Sequence, residues 1–91
     1  MGKSMKLHYV YVLLSEKDGK LYIGSTNDLK RRISEHRQGK NISTAKRLPL
    51  ELIFYEAYPS ESDAERRERY FKTAKGKTTL KQMLADYLRT V

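Results

Sequence analysis

Five side chains that can carry out chemistry stand at the edges of apolar segments in this sequence. Tyr11, Tyr22 and His36 carry phenol and imidazole groups that can donate or accept protons. The guanidinium of Arg32 can bind an anion, and the carboxylate of Glu68 can bind a cation. Taken singly, each is more readily explained as a packed tyrosine, a solvated helix cation, a boundary histidine or an ion-pair partner. The elements that carry them therefore decide whether they meet.

The two tyrosines belong to a predicted β-hairpin from Tyr9 to Gly24. Two short runs rich in tyrosine and β-branched residues flank a polar segment that contains Asp18-Gly19. The first run, residues 7–14, is apolar on both alternating faces, which predicts a central strand that is covered on both sides. The glycine that ends the second run predicts a sharp turn or a close approach of another group.

The arginine and the histidine fall on a first helix, which is predicted to begin at residue 27 or 28 and to run to about residue 37. At about 100° per residue, Arg32 and His36 lie at the edge of the apolar stripe that contains Ile33. Arg31 points outward.

A polar, basic loop and a third strand follow this helix. The loop covers residues 38–49, and the strand covers residues 50–58. Side chains alternate along a strand, so the pattern places Phe54 on one face and Tyr55 on the other.

Two further helices complete the pattern. Ser60 or Ser62 is expected to cap the second helix, and residues 62–65 fit a capping box. Glu68 falls on or beside the buried stripe of this helix, where carboxylates are rarely left without a reason. Gly76 is expected to separate the last helix, whose apolar residues recur at helical spacing from Leu80 to Leu88.

The element order β-β-α-β-α-α predicts an α+β domain over residues 6–88, with residues 1–5 as a flexible N-terminus. We expect a small three-stranded, mostly antiparallel sheet flanked by three helices. A net charge of +8, from 19 Lys and Arg against 11 Asp and Glu, is typical of a protein that binds nucleic acid. On charge alone, a small ribosomal-type or simply soluble basic protein is an equal alternative. The lack of cysteine excludes a disulfide scaffold, a zinc ribbon and a cysteine nucleophile. No apolar run approaches the roughly 18–20 residues of a membrane span, so we expect a cytoplasmic chain without a membrane partner.

Four segments together carry a family resemblance. Tyr9-Val10-Tyr11 is a variant of a first signature triplet, and Tyr22-Ile23-Gly24 is the intact second triplet. Residues 25–32 are similar to a segment that ends in the family's arginine, and His36 matches a position that is His or Tyr. Residues 64–68 are similar to the segment of a helix that carries the family's glutamate. Over residues 6–84 the sequence resembles the GIY-YIG nuclease family, in particular small single-domain members related to the nuclease domain of the excinuclease C subunit.

The resemblance implies an endonuclease that hydrolyses DNA phosphodiester bonds with one divalent ion, Mg²⁺ or Mn²⁺, and no small-molecule cofactor. It makes Glu68 the metal ligand and Arg32 the phosphate-binding cation. It makes Tyr11 the leading candidate for the general base, with Tyr22 and His36 orienting it or sharing the proton. Since a free phenol has a pKa of about 10, Tyr11 would need help from nearby cations, and which of the three groups takes the proton stays open.

Four cations outside this set are candidates for contacts with the nucleic-acid backbone: Arg31, Lys40, Lys46 and Arg47. We recognise no accessory DNA-reading module in the sequence, so we expect structure-directed or weakly specific cleavage. DNA repair or recombination is the expected setting.

Three departures from the family pattern keep other interpretations open. Tyr9 replaces a glycine, Ser25 replaces a lysine found in some members, and no asparagine follows Asn41. They are compatible with a nucleic-acid-binding module of the same fold whose catalysis is weak or lost. A third interpretation is a basic adaptor whose last helix docks a partner protein. The sequence leaves the oligomeric state open.

Overall fold

The computed structural model of this chain describes residues 6–91, so the predicted flexible N-terminus lies outside the described residues. Besides a short 3-10 helix at Ala45–Arg47, the described chain forms three strands, three main helices and a one-turn α-helix. They are β1 (His8–Ser15), β2 (Leu21–Thr26), α1 (Leu29–Arg37), β3 (Leu50–Tyr58), α2 (Glu61–Lys72), α3 (Ala74–Met83) and α4 (Ala85–Leu88).

The sheet has the order β2-β1-β3, and both pairings are antiparallel. Val10 and Val12 of the central strand pack against α2 and α3 on one face. Tyr11 and Leu13 pack on the other face with Ile33 of α1. The predicted α+β class, antiparallel sheet and doubly covered central strand are therefore confirmed.

A β-bulge in β3 overturns the predicted faces of that strand. Val12 pairs with Phe54, whereas the next residue, Leu13, pairs with Leu52, so Ile53 is an extra residue between them. The insertion reverses the alternation that follows it. Phe54 consequently packs with the α2 layer, and Tyr55 turns to the α1 face, opposite Tyr11 in the register.

The start of α1 agrees with the prediction. The carboxylate of Asp28 accepts a hydrogen bond of 3.1 Å from the backbone N–H of Arg31, which makes it the N-cap. Ile33 and His36 are buried, and Gly39 follows the helix with a φ of +75° that favours glycine.

The helices after β3 begin and end elsewhere than predicted. Ser60 is the N-cap of α2 without a side-chain hydrogen bond, so the capping box was wrong because Ser62 lies inside the helix. The break before the last helix lies at Thr73, whose hydroxyl accepts a 3.0 Å hydrogen bond from the N–H of Gly76. Gly76 is buried within α3, where a Cβ would overlap the carbonyl of Tyr70. This glycine permits the close contact of two helices.

The last predicted helix is divided into α3 and α4 at Leu84. Leu80 is fully buried, whereas Met83 and Tyr87 are exposed. Within residues 6–91, no helix is long and apolar enough to cross a membrane.

Candidate active site

Gly24 allows the phenol of Tyr11 to approach the backbone of the neighbouring strand. The two residues are partners in the β1–β2 register. A Cβ at position 24 would lie 2.5 Å from the hydroxyl oxygen of Tyr11, closer than real side chains approach. The second signature triplet thus ends in glycine because a buried tyrosine ring occupies the space of a side chain.

Tyr11, Tyr22 and His36 form one aromatic cluster between the sheet and α1. The hydroxyl of Tyr11 lies 2.9 Å from Nε2 of His36, and neither residue has exposed surface. The ring of Tyr22 has its centroid 5.1 Å from that of His36 and 6.3 Å from that of Tyr11. Three of the predicted site residues are therefore brought together.

The electrostatics of the cluster keep Tyr11 protonated at neutral pH. Burial, with a smaller contribution from Tyr22, raises the pKa of Tyr11 to about 12. Arg32 lies close enough to the phenol to offset part of this rise, and the carboxylate of Glu68 adds to it. The other four predicted residues therefore act on the Tyr11 hydroxyl: Tyr22, Arg32 and Glu68 through their effect on its pKa, and His36 through a hydrogen bond.

Thr44 is a site residue that sequence reasoning missed. Its hydroxyl lies 2.7 Å from Nδ1 of His36, and its side chain is fully buried. His36 thus has a hydrogen-bond partner on each ring nitrogen. Burial and the charge of Arg32 lower the pKa of His36, which favours a neutral imidazole at pH 7.

The loop that carries Thr44 is fastened to the hairpin. The buried hydroxyl of Ser15 donates a 2.6 Å hydrogen bond to the carbonyl of Arg47. The guanidinium of Arg47 donates to the carbonyl of Leu21, and its Nε lies 3.4 Å from the carboxylate of Asp18. The pKa of Asp18 is lowered, mainly because its carboxylate accepts a hydrogen bond from the backbone N–H of Lys20. Arg47 therefore faces the protein, unlike the exposed Lys46.

Glu68 is held by a residue that the sequence comparison had marked as a departure. The hydroxyl of Ser25 donates a 2.7 Å hydrogen bond to Oε1 of Glu68, and the ammonium of Lys72 donates a 2.9 Å bond to Oε2. Burial alone would raise the pKa of Glu68, but the bonds from Lys72 and Ser25 outweigh it and hold the pKa below its usual value. The carboxylate is anionic at neutral pH.

The donor chemistry around Glu68 fits a hydrated divalent cation. No group of three or more acidic or histidine side chains that could hold a metal is found among residues 6–91. A site with one carboxylate, waters and a substrate phosphate is a common arrangement for Mg²⁺. The Lys72 ammonium shows that a cation fits beside this carboxylate, and its exposed stem leaves it free to move.

A surface cavity of about 280 Å³ lies beside Arg32 and Ser25. Arg32 of α1 and Ser25 of β2 line it together with residues from the start of α2. Arg32 is partly exposed and lies 3.3 Å from Glu35 on its own helix. Arg31 is more exposed, as predicted, and Lys40 lies at the surface of the loop.

The chain is similar in sequence to known proteins over most of its length. The family model described as "GIY-YIG catalytic domain" matches residues 7–82. The chain is 43% identical to a UPF0213 protein of Lacticaseibacillus paracasei over 68 residues, which cover 74% of this chain and 75% of the relative. It is 39% identical to a UPF0213 protein of Staphylococcus haemolyticus over 80 residues, 87% of this chain and 96% of that one.

A solved structure has the same overall arrangement. The solution NMR structure of a UPF0213 protein from Bacillus halodurans is 39% identical to this chain and superposes with a TM-score of 0.54. The match covers 85% of this chain and 84% of the other.

Proposed function

The chain belongs to the GIY-YIG nuclease family, and from this premise we propose that it is a divalent-metal-dependent endonuclease that hydrolyses DNA phosphodiester bonds. The observation that supports this most is the cavity lined by Arg32 and by Ser25, whose hydroxyl is bonded to Glu68. A phosphate in this cavity would meet the guanidinium of Arg32 and would lie near the carboxylate that Ser25 holds.

Glu68 would hold the metal ion, which members of this family generally use. Because Ser25 fixes Oε1, the second oxygen would bind the ion once the Lys72 ammonium moves away. Bound Mg²⁺ or Mn²⁺ would stabilise negative charge on the phosphoryl oxygens and on the leaving oxygen.

Arg32 would bind the scissile phosphate. Its guanidinium is permanently charged and has a fork of donors that matches two phosphate oxygens. The pair with Glu35 holds the side chain at the cavity and competes only weakly, since both groups are partly exposed.

The Tyr11–His36 pair would accept the proton of the attacking water. A phenol with a pKa of about 12 is protonated at neutral pH, so Tyr11 could take a proton from the attacking water only while it passes its own proton to Nε2 of neutral His36, 2.9 Å away. We therefore assign His36 as the proton acceptor for Tyr11. Tyr22 is partly exposed and packs on both rings, so it would separate this pair from bulk water.

The exposed cations Arg31, Lys40 and Lys46 would contact backbone phosphates around the cut. Arg47 differs, since its guanidinium is engaged with the hairpin, and we propose that it anchors the loop instead. Such contacts carry no sequence information, which favours structure-directed cleavage, with DNA repair or recombination in the cytoplasm as its setting.

A cleavage assay with Mg²⁺ on single-stranded, duplex, branched and nicked DNA tests the proposal. We expect nicking by the wild type and its loss in Glu68→Ala and Arg32→Ala. Asp63→Ala and Arg66→Ala are matched controls, because this pair lies on the same helix as Glu68 but bonds only with itself. Melting curves should show that all four variants are folded.

A second candidate function is nucleic-acid binding without catalysis. It is favoured by the two hydrogen bonds that already occupy both oxygens of Glu68. In that case the wild type binds DNA in a salt-dependent way and cuts none of the substrates, and Glu68→Ala binds as tightly or more tightly. Metal-dependent cleavage that Glu68→Ala abolishes would rule it out.

A further inference from the structure

A second, larger groove runs along the other side of α1, between this helix and β3. Its volume is about 740 Å³, compared with about 280 Å³ for the cavity at Arg32. Its apolar lining comes mainly from Tyr9, Leu29, Leu52 and Tyr55. The groove is separate from the aromatic cluster at His36, and the proposed hydrolysis makes no use of it.

The bulge in β3 turns Tyr55 into this groove. Without the extra residue at Ile53, the ring of Tyr55 would point to the α2 face of the sheet. It instead lies against the ring of Tyr9, edge to face, with the centroids 6.0 Å apart. Tyr55 is 53% exposed, so Tyr9 supports its ring while much of the surface stays open to water.

The groove also carries positive charge. Lys30 and Arg37 of α1 line it and are exposed. Among residues 6–91, neither of them takes part in an ion pair. The lining carboxylate, Asp28, is engaged as the N-cap of α1. An open aromatic ring flanked by two available cations is the surface that proteins use for unpaired nucleotides.

The groove meets the cavity at Arg32. Asn27 lines both of them, at the turn that leads from β2 into α1. A strand whose phosphate lies at Arg32 could therefore continue past Asn27 and along the helix.

Resting on the proposed function, we propose that this groove binds an unpaired nucleotide of the substrate strand, with its base stacked on Tyr55 and its flanking phosphates at Lys30 and Arg37. A duplex keeps its bases within the stack and cannot fill this site. The groove thus gives the enzyme a preference for strands that are unpaired next to the cut.

Binding of labelled oligonucleotides in EDTA tests this inference, since without metal no cleavage interferes. Fluorescence anisotropy would measure the affinity for a single-stranded oligonucleotide and for the matching duplex. Tyr55→Ala should lower the single-strand affinity roughly tenfold and change the duplex affinity little. Tyr55→Phe should bind like the wild type, because stacking needs the ring and not the hydroxyl.

Tyr87→Ala is the matched control, because Tyr87 is also an exposed tyrosine, 40% open, and lies on α4 outside the groove. The double variant Lys30→Gln, Arg37→Gln should reduce the salt dependence of single-strand binding by roughly one to two released ions. Melting curves of each variant verify the fold.

The outcomes separate this inference from the proposed function. If Tyr55→Ala binds the single strand as the wild type does, or weakens both DNA forms equally, the groove is not a nucleotide site, whether or not the wild type cuts DNA. If the wild type cuts nothing while Tyr55→Ala selectively weakens single-strand binding, the proposed hydrolysis fails and the nucleotide site stands.

Discussion

The hydroxyl oxygen of Tyr11 lies 2.9 Å from Nε2 of His36, in a part of the core where neither residue meets solvent. The hydrogen bond links the central strand to α1, across 25 positions of sequence. It couples the first signature triplet on β1 to the helix that carries Arg32. Both partners titrate, so the contact has consequences for stability at alkaline pH and for catalysis.

Tyr11→Phe should make stability less dependent on pH in alkaline solution. The pKa of the phenol is about 12 in the folded chain and 10.0 in the reference state, so its contribution is fully present below pH 10 and is lost as the pH rises toward 12. The two-unit difference corresponds to roughly 2–3 kcal/mol. Urea unfolding at several pH values would measure it. Tyr87→Phe, on an exposed tyrosine, should keep the wild-type pH dependence, and identical curves for all three proteins would contradict the prediction.

Thr44→Val should disturb His36 without changing the shape of the side chain. The substitution removes the partner at Nδ1 and leaves a buried ring nitrogen unpaired, at a cost of roughly 1–3 kcal/mol. As a positioning residue, Thr44 should also affect the reaction: we expect a changed ratio of ring tautomers in nitrogen NMR and a kcat lowered about tenfold, with unchanged DNA affinity. Thr44→Ser keeps the hydroxyl and should restore both. A loss of stability alone would show that Thr44 is only structural.

The sequence predicted those parts of the site that depend on local periodicity. Arg32 and Glu68 lie at the edges of buried stripes as predicted, because the helical repeat fixes such positions within a few residues. His36 was predicted at such an edge as well but is fully buried. The central strand was predicted because residues 7–14 are apolar on both faces.

The parts that were missed depend on contacts between distant segments. The face of Tyr55 depends on one extra residue in the register with β1, which no periodic pattern in β3 reveals. The contact of Thr44 with His36 depends on how the polar loop of residues 38–49 packs against α1. This loop has no hydrophobic periodicity from which its conformation could be predicted. The hydrogen bond from Ser25 to Glu68 joins two residues that are 43 positions apart in the sequence.

Gly24→Ala should be destabilising because its methyl group would overlap the Tyr11 hydroxyl. The ring is fully buried and packs with the rings of Tyr22 and His36. Overpacking of this kind costs roughly 1–3 kcal/mol. Thermal unfolding would measure the loss. The cost should be smaller in a Tyr11→Leu background, which removes both the hydroxyl and the ring carbon that lies 2.6 Å from the added methyl group. Equal costs in both backgrounds would show that the side chain of Tyr11 is not the source of the strain.

Lys72→Met should ease metal binding at Glu68. The ammonium lies 2.9 Å from Oε2 and competes with a divalent ion for the same oxygen. We expect half-maximal cleavage at a several-fold lower Mg²⁺ concentration. The pKa of Glu68 should also rise, since the bond from Lys72 is the main cause that lowers it.

The stability change in Lys72→Met should be small and depend on pH. A lowered carboxylate pKa stabilises the fold above its unfolded value of 4.5, and this effect fades as the pH falls through the folded value. The free energy of unfolding of the wild type should therefore exceed that of Lys72→Met by roughly 0.3–0.5 kcal/mol at neutral pH, and the difference should disappear in acid. Lys75→Met, on α3, is the control. An unchanged metal requirement would mean that Lys72 does not occupy the ion's position.

Arg47→Gln should weaken the fold and leave the salt dependence of DNA binding unchanged. Its guanidinium faces Asp18 and the carbonyl of Leu21, so the substitution loosens the loop that carries Thr44.

Lys46→Gln, at the exposed neighbouring position, should have the opposite effects on stability and on DNA binding. It should keep the melting temperature and reduce the slope of log affinity against log salt by about 0.7–0.9, the value for one lost phosphate contact. Anisotropy titrations over a range of salt concentrations, paired with melting curves, distinguish the two residues. If Arg47→Gln instead lowered the slope by that amount at an unchanged melting temperature, Arg47 would be a phosphate contact and not an anchor of the loop.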